Sequence, residues 1–228
     1  MNPRQEKLFK IIVEQYIKAA QPVGSKLIVE KYLSDVSTAT IRNDMVELEN
    51  NGLIMHPHTS AGRIPTEAGY KKYVKDNIDI KSVLDKNDKN FIEKSIKGIN
   101  SNSSNNENIV KNLAKILAEQ SKLSIFIGFS KNSVYYTGLS NLFQQPEFQD
   151  MSLICNLTRV VEHLDEVMQD IYQKTQELQI KIGSDNPFAQ DCSAIMTKTK
   201  NILLGILGPL RMDYQKNIKL INFIKEKI

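Results

Sequence analysis

The chain has 228 residues, 41% hydrophobic and 25% charged, with a formal net charge of +4. That length suits one large domain or two small ones with a core, and no apolar run approaches the roughly 18–20 residues of a membrane span. The N-terminus "MNPRQEKLFK" lacks the apolar stretch of a signal peptide, so a cytoplasmic protein with no membrane partner is expected. Two cysteines, Cys155 and Cys192, are too few for a disulfide framework and show no metal-ligand spacing; they read either as a redox pair or, the favoured reading, as two small core residues. The charge excess is small, so a polyanion partner needs positive charge gathered locally.

Residues 1–78 are strongly patterned. Asn2 reads as a helix cap and Pro3 as the first helical position. Leu8, Ile11, Ile12 and Tyr16 then share one helical face. "QPVG" breaks the chain, and Ser25 is placed to cap a second helix, "KLIVEKYL". After the turn "SDV", Ser37 caps a third helix, with Ile41, Met45 and Leu48 as its buried stripe and Gly52 at its end. "LIMHP" reads as a short strand, "HTSAGRIP" as a loop, and "TEAGYKKYVKDNI" as a helix capped by Thr66. That order predicts a winged helix-turn-helix.

Residues 79–108 read as a helix over about 88–99 followed by a flexible linker, "NSNSSNNEN", with no apolar residue. Residues 109–228 regain pattern. Strands are expected at 123–129, 133–138, 178–183, 192–199 and 201–209, with one long helix at about 147–174. On that helix Leu153, Leu157, Val160, Leu164, Val167 and Ile171 recur at heptad spacing. Such a seam packs on its own sheet or pairs across a dimer. In "GPLRMDY", Asp213 is a plausible cap, and Arg211 either contacts a ligand or protein partner or is held in local turn bonds.

The third helix starts with short polar side chains, Ser37, Thr38 and Thr40, that let a backbone come close. Arg42 has the donors to read guanine and Asn43 the amide to read adenine, and a helix N-terminus favours phosphate. Asp44, Glu47 and Glu49 would repel phosphates, so docking falls to the N-terminal half. The other reading is a solvated helix face with Arg42 paired to nearby acids. Ser25 and Lys26, at the start of the second helix, complete the candidate contacts. In the loop, Thr59 and Ser60 can donate to phosphates. Gly62 permits a tight bend or close approach, and Arg63 could enter a narrow minor groove. His58 either touches phosphate or braces the backbone. His56 and His58 have no neighbouring ligands to complete a metal site, and no catalytic set, phosphate-binding glycine loop or cofactor motif is present.

"STATIRNDMVELENNGLIMHPHTSAGRIPTEAGYKKYV" resembles the N-terminal domain of the heat-inducible transcription repressor family HrcA. The run "PHTSAGRIPTEAGY" is its most specific part, and "PVGSKLI" agrees. "GLSNLFQQPEF", "DCSAIM" and "GILGPLRMDY" look like the family's later blocks, in order. The resemblance covers 1–78 and about 134–228. It implies a homodimeric repressor on an inverted-repeat operator of chaperone operons, modulated by a GroE-type chaperonin. Its fold would be α+β: a winged helix-turn-helix domain (1–78), a helix and linker (79–108) and a GAF-like α/β domain (109–228). Family members carry an inserted dimerising domain before the "NLF-QPEF" block. Here only "AKILAEQSKLSIFIGFSKNSVYYTGLSNLF" joins the two parts, which makes this a shortened member with a reduced GAF-like domain. A protein-interaction adaptor and a ligand-gated regulator are the rival readings.

Overall fold

The computed structural model describes residues 1–57, 62–100, 106–149 and 164–228. The chain divides into two compact units, 1–78 and 79–228.

Local hydrogen bonds start the helices of the first unit. Helix α1 (Pro3–Ala19) begins in a reciprocal box: the Asn2 side chain accepts the Gln5 amide at 2.9 Å, and Gln5 Oε1 accepts the Asn2 amide at 3.0 Å. Helix α2 (Ser25–Lys31) departs from expectation. Its cap is Gly24, and Ser25 occupies the first helical position with no capping bond. Helix α3 (Thr38–Asn50) is capped by Ser37, whose Oγ accepts the Thr40 amide at 3.1 Å. It ends before Gly52, which sits at φ +70°. Strands β1 (Ile54–Met55) and β2 (Ile64–Pro65) pair antiparallel. Val23 adds a bridge to Arg63 through two main-chain bonds of 2.9 and 3.0 Å. Helix α4 (Glu67–Asn77) starts on Thr66, whose Oγ1 accepts the Gly69 amide at 3.0 Å. Leu8, Ile12, Ile28, Ile41, Leu48 and Ile54 are fully buried among these elements, each stabilising the unit by about 1.5–3 kcal/mol. Tyr16 is only half-buried.

The second unit is one antiparallel sheet between helices. Its strands are β3 (Ser124–Ser130), β4 (Ser133–Thr137), β5 (Gln179–Ile182), β6 (Cys192–Thr199) and β7 (Ile202–Pro209), in the order β4-β3-β7-β6-β5. Each of the five lies within a residue or two of its expected range. Helices α5 (Lys86–Asn100), α6 (Asn106–Ser121), α7 (Leu139–Phe143), α8 (Leu164–Lys174) and α9 (Tyr214–Lys225) accompany it. Period-two alternation decides which face each side chain joins. Cys192, Ala194 and Met196 pack with Phe126, Phe148, Met168 and Ile171 on the α8 side. Ser193, Ile195 and Thr197 point the other way, where α6 and α9 cover the sheet. Burial on both faces is why β7 reads as a nearly unbroken apolar run, while β6 places the small polar residues Ser193 and Thr197 on the α9 side.

Two expectations shift here. Of the helix anticipated at 147–174, the described parts are a 3-10 helix at Pro146–Gln149 and α8, and 150–163 lie outside the described residues. Leu153, Leu157 and Val160 lie outside the described residues, as does the side chain of Leu164. Val167 and Ile171 pack on their own unit's core. The helix α5 is longer than the one expected, and its neighbourhood is anchored to the second unit. Asn222 Nδ2 donates to the carbonyls of Ile80 and Ser82 at 3.0 and 3.1 Å, and Lys227 pairs with Glu93 at 3.1 Å. Residues 101–105 of the anticipated linker are outside the described residues.

Candidate nucleic-acid interface

Helix α3 divides into two halves with different fates. Ser37, Thr38, Arg42 and Asn43 are exposed at its N-terminal half, and Thr40 is half-buried. The Ser37 and Thr40 hydroxyls share a 2.9 Å hydrogen bond. Thr38 and Asn43 stand outward beside that cap. Arg42 Nε donates to Ser25 Oγ at 3.2 Å, so the start of α2 orients the plane of the guanidinium. Ser25 is itself buried. It is therefore not an outward contact, and its hydroxyl serves Arg42. Lys26 is exposed, with Glu30 3.9 Å away, a spacing and exposure at which an ion pair contributes little.

Of the acids in the C-terminal half, Asp44 is buried, Glu49 half-buried and Glu47 exposed. Asp44 is 4% exposed and takes Arg4 on both oxygens, at 2.6 and 3.0 Å, a paired geometry stronger than a single contact. That bond, and the Asp44 charge, push the Arg4 pKa up. Glu47 accepts from the Gln5 side-chain amide. Glu49 accepts the His56 main-chain amide on Oε1 at 3.1 Å and Arg63 on Oε2, with Nε at 3.0 Å and Nη2 at 2.9 Å. The repulsive end of α3 is thus largely engaged in internal bonds.

These contacts correct the reading of Arg63. Its side chain is 17% exposed and lies on Glu49 rather than reaching outward. Gly62 does permit a close approach, but to the chain's own backbone: a Cβ there would sit 2.7 Å from the Pro22 carbonyl carbon and 2.8 Å from the Val23 nitrogen. His56 Nδ1 lies 2.9 Å from the Pro57 oxygen. His58, Thr59 and Ser60 fall outside the described residues. Sequence reasoning missed Arg4 and read Glu49 only as an acid that repels phosphate, because their partners are 40, 7 and 14 positions away and no local periodicity marks such pairs.

In the second unit, Arg211 bonds to Glu147 and, at 2.9 Å, to Gln145 Oε1. The blocks "GLSNLFQQPEF" and "GPLRMDY" therefore meet at this arginine, in bonds internal to the unit. Cys192 is buried, and burial pushes its thiol up to about 12, as suits a core residue. A cavity of about 230 Å³ beside α8 and β5 is lined in part by Asp170, Lys174, Lys181 and Met196. Lys174 is already paired to Asp170 at 2.8 Å. Among the described residues no group of His, Cys, Asp and Glu could hold a metal, and no helix is long and apolar enough to cross a membrane.

The chain is α+β and exposes the polar start of α3. Known proteins give its class. The family model for the HrcA protein C terminal domain matches residues 37–218, and the chain belongs to the HrcA family. It is 29% identical to the heat-inducible transcription repressor HrcA of Clostridioides difficile, covering 98% of this chain and 97% of that protein. It is 28% identical to that of Desulfitobacterium hafniense, covering 98% and 95%. The first alignment runs over 332 residues against 228 in this chain, so a long internal stretch of the relative has no counterpart here. A crystal structure of a hypothetical protein shares the fold, with a TM-score of 0.74 at 18% identity, covering 100% of this chain and 97% of that one. The protein is a transcription repressor of heat-shock genes.

Proposed function

We propose that the first unit is a winged helix-turn-helix and that it reads one half of an inverted-repeat operator. In this reading α2 and α3 form the motif, and β1, β2 and the loop between them form the wing. Arg42 and Asn43 read base edges while Ser37, Thr38 and Thr40 let the helix start approach the groove. Lys26, His58, Thr59 and Ser60 hold the phosphate backbone. The observation that carries this is the division of α3: its polar start is exposed, while Asp44 and Glu49 are taken up by Arg4, His56 and Arg63. Of the three acids of α3, Glu47 is the one left exposed, and its carboxylate accepts the Gln5 amide.

Two half-sites need two copies related by a two-fold axis, so the active form is a homodimer. The second unit is a reduced GAF-like domain, a five-stranded sheet with helices on both faces, and it carries dimerisation and the response to a GroE-type chaperonin in the cytoplasm. The test is a titration of an inverted-repeat operator against scrambled DNA, with the mass of the complex measured by light scattering. Two chains per operator, and preference over the scrambled sequence, are expected. A strict monomer that binds both DNAs alike would overturn the reading and favour a protein-interaction adaptor.

A further inference from the structure

Glu49 sits in the last turn of α3, and its two oxygens reach both stems of the loop at 56–63. Oε1 receives the His56 amide and Oε2 receives Arg63. Arg63 in turn exchanges two main-chain bonds with Val23, just before α2. One carboxylate thus ties together α3, both strands of the hairpin and the segment ahead of α2. The pair is partly desolvated, at 17% exposure for Arg63 and 33% for Glu49, and charge-assisted bonds in such a setting outlast those of a fully exposed pair.

An arginine free to move at this position would meet any phosphate, whatever the sequence. We propose that Glu49 is a positioning residue that sets specificity: it holds Arg63 as a brace, off the phosphates, so that Arg63 contributes shape to operator binding and not charge. The inference rests on the DNA-binding reading of the first unit. The pair is electrically neutral, which also explains how an acid is tolerated beside a duplex.

The test uses the full chain and compares salt dependence on operator and on scrambled DNA. Glu49→Gln keeps the side chain's size and its acceptor for His56 but frees Arg63. The log–log salt slope on scrambled DNA should steepen by about 0.9 for each arginine that gains a phosphate. The preference for operator should drop about tenfold, because random sequences gain a phosphate contact and the operator loses the tie that Glu49 makes between His56 and Arg63. The double variant Glu49→Gln with Arg63→Gln replaces a neutral pair by a neutral pair, and its slope should match the parent. A merely structural role for Glu49 moves neither slope. Two results would overturn the proposal: a Glu49→Gln slope and preference equal to the parent's, or a double variant whose slope flattens by about 0.9, which would mean that Arg63 grips phosphate in the parent. If Glu49→Gln does not fold, the double variant decides alone. A parent chain with no preference for operator removes the DNA reading itself, a failure visible before any variant is made.

Discussion

Replacing Gly69 by alanine should weaken the first unit far more than the small added methyl suggests. A Cβ at that position would lie 2.1 Å from the Leu53 carbonyl oxygen, so one backbone must retreat by about 1 Å. Neither can do so cheaply. The Leu53 oxygen accepts the Thr66 amide at 3.1 Å, the Leu53 amide bonds Leu48 at 3.0 Å, and the Gly69 amide is held by Thr66 Oγ1. Overpacking of this kind costs about 1–3 kcal/mol, and a weakened main-chain hydrogen bond adds about 0.5–1.5 kcal/mol. Better helix propensity returns at most about 1 kcal/mol. The net loss is about 2 kcal/mol, against a total of about 4–12 kcal/mol for a unit of this size. Urea titration read by hydrogen exchange of α3 and α4 amides follows the first unit inside the intact chain. Gly24→Ala is the control for space, because nothing lies within 4 Å of a Cβ there and its φ is −89°; it loses only glycine's advantage as the cap of α2, about 0.5–1 kcal/mol. A Gly69→Ala protein as stable as that control would refute the close-approach argument.

Arg42→Ala should cost about 1–3 kcal/mol on operator and relax the sequence preference at one position; an equal loss on scrambled DNA would remove Arg42 from base reading. Ser25→Ala should reproduce part of that change, since it takes away the Arg42 partner, and gel shifts on single-base operator variants will show whether both act at the same base. Alkali should destabilise the second unit. The Cys192 thiol ionises at its ordinary 9.0 when unfolded but at about 12 when folded, and burial likewise raises the phenol of Tyr214. The folded state therefore holds its protons longer, so stability is full below about pH 9 and falls as pH rises towards 12, by up to about 1.4 kcal/mol per pH unit for each group. Urea titrations at about pH 8 and about pH 10 should show a smaller drop in Cys192→Ala than in the parent; an equal drop refutes the thiol's share. Phe148→Ala opens a cavity beside Phe126, Leu142 and Met168 at about 3–5 kcal/mol. If heat releases the repressor by melting its second unit, the temperature of operator release should fall with the unit's melting, and a release temperature that stays fixed while melting drops would contradict that route.

Much of the fold was legible because its signals are local. Asn2, Ser37, Thr66 and Asp213 each cap a helix by accepting an amide three positions on, and an interaction of that span is written in consecutive residues. The long strand β7 announced itself by a nearly unbroken apolar run. The site was legible in part. The short polar start of α3 is where its composition placed it, exposed at the helix beginning. The roles of Ser25 and Arg63 were not legible. Each type of side chain suits a surface contact, and only the neighbours brought by folding assign them inward, Ser25 to Arg42 and Arg63 to Glu49.

By itself, the sequence determined the capped helices, the strand set of the second unit and, through "PHTSAGRIPTEAGY" and the later blocks, the family. Tertiary structure alone decided which charges are available. Asp44 meets Arg4 across 40 residues, Arg211 meets Gln145 across 66, and Glu49 closes on both stems of the loop. The physical reason is that a charge acts through what lies within a few ångströms of it, and chain spacing does not fix distance between elements that pack after they form. Even the glycines divide this way: Gly52 serves a local left-handed turn at a helix end, whereas Gly69 is required by a carbonyl 16 residues before it.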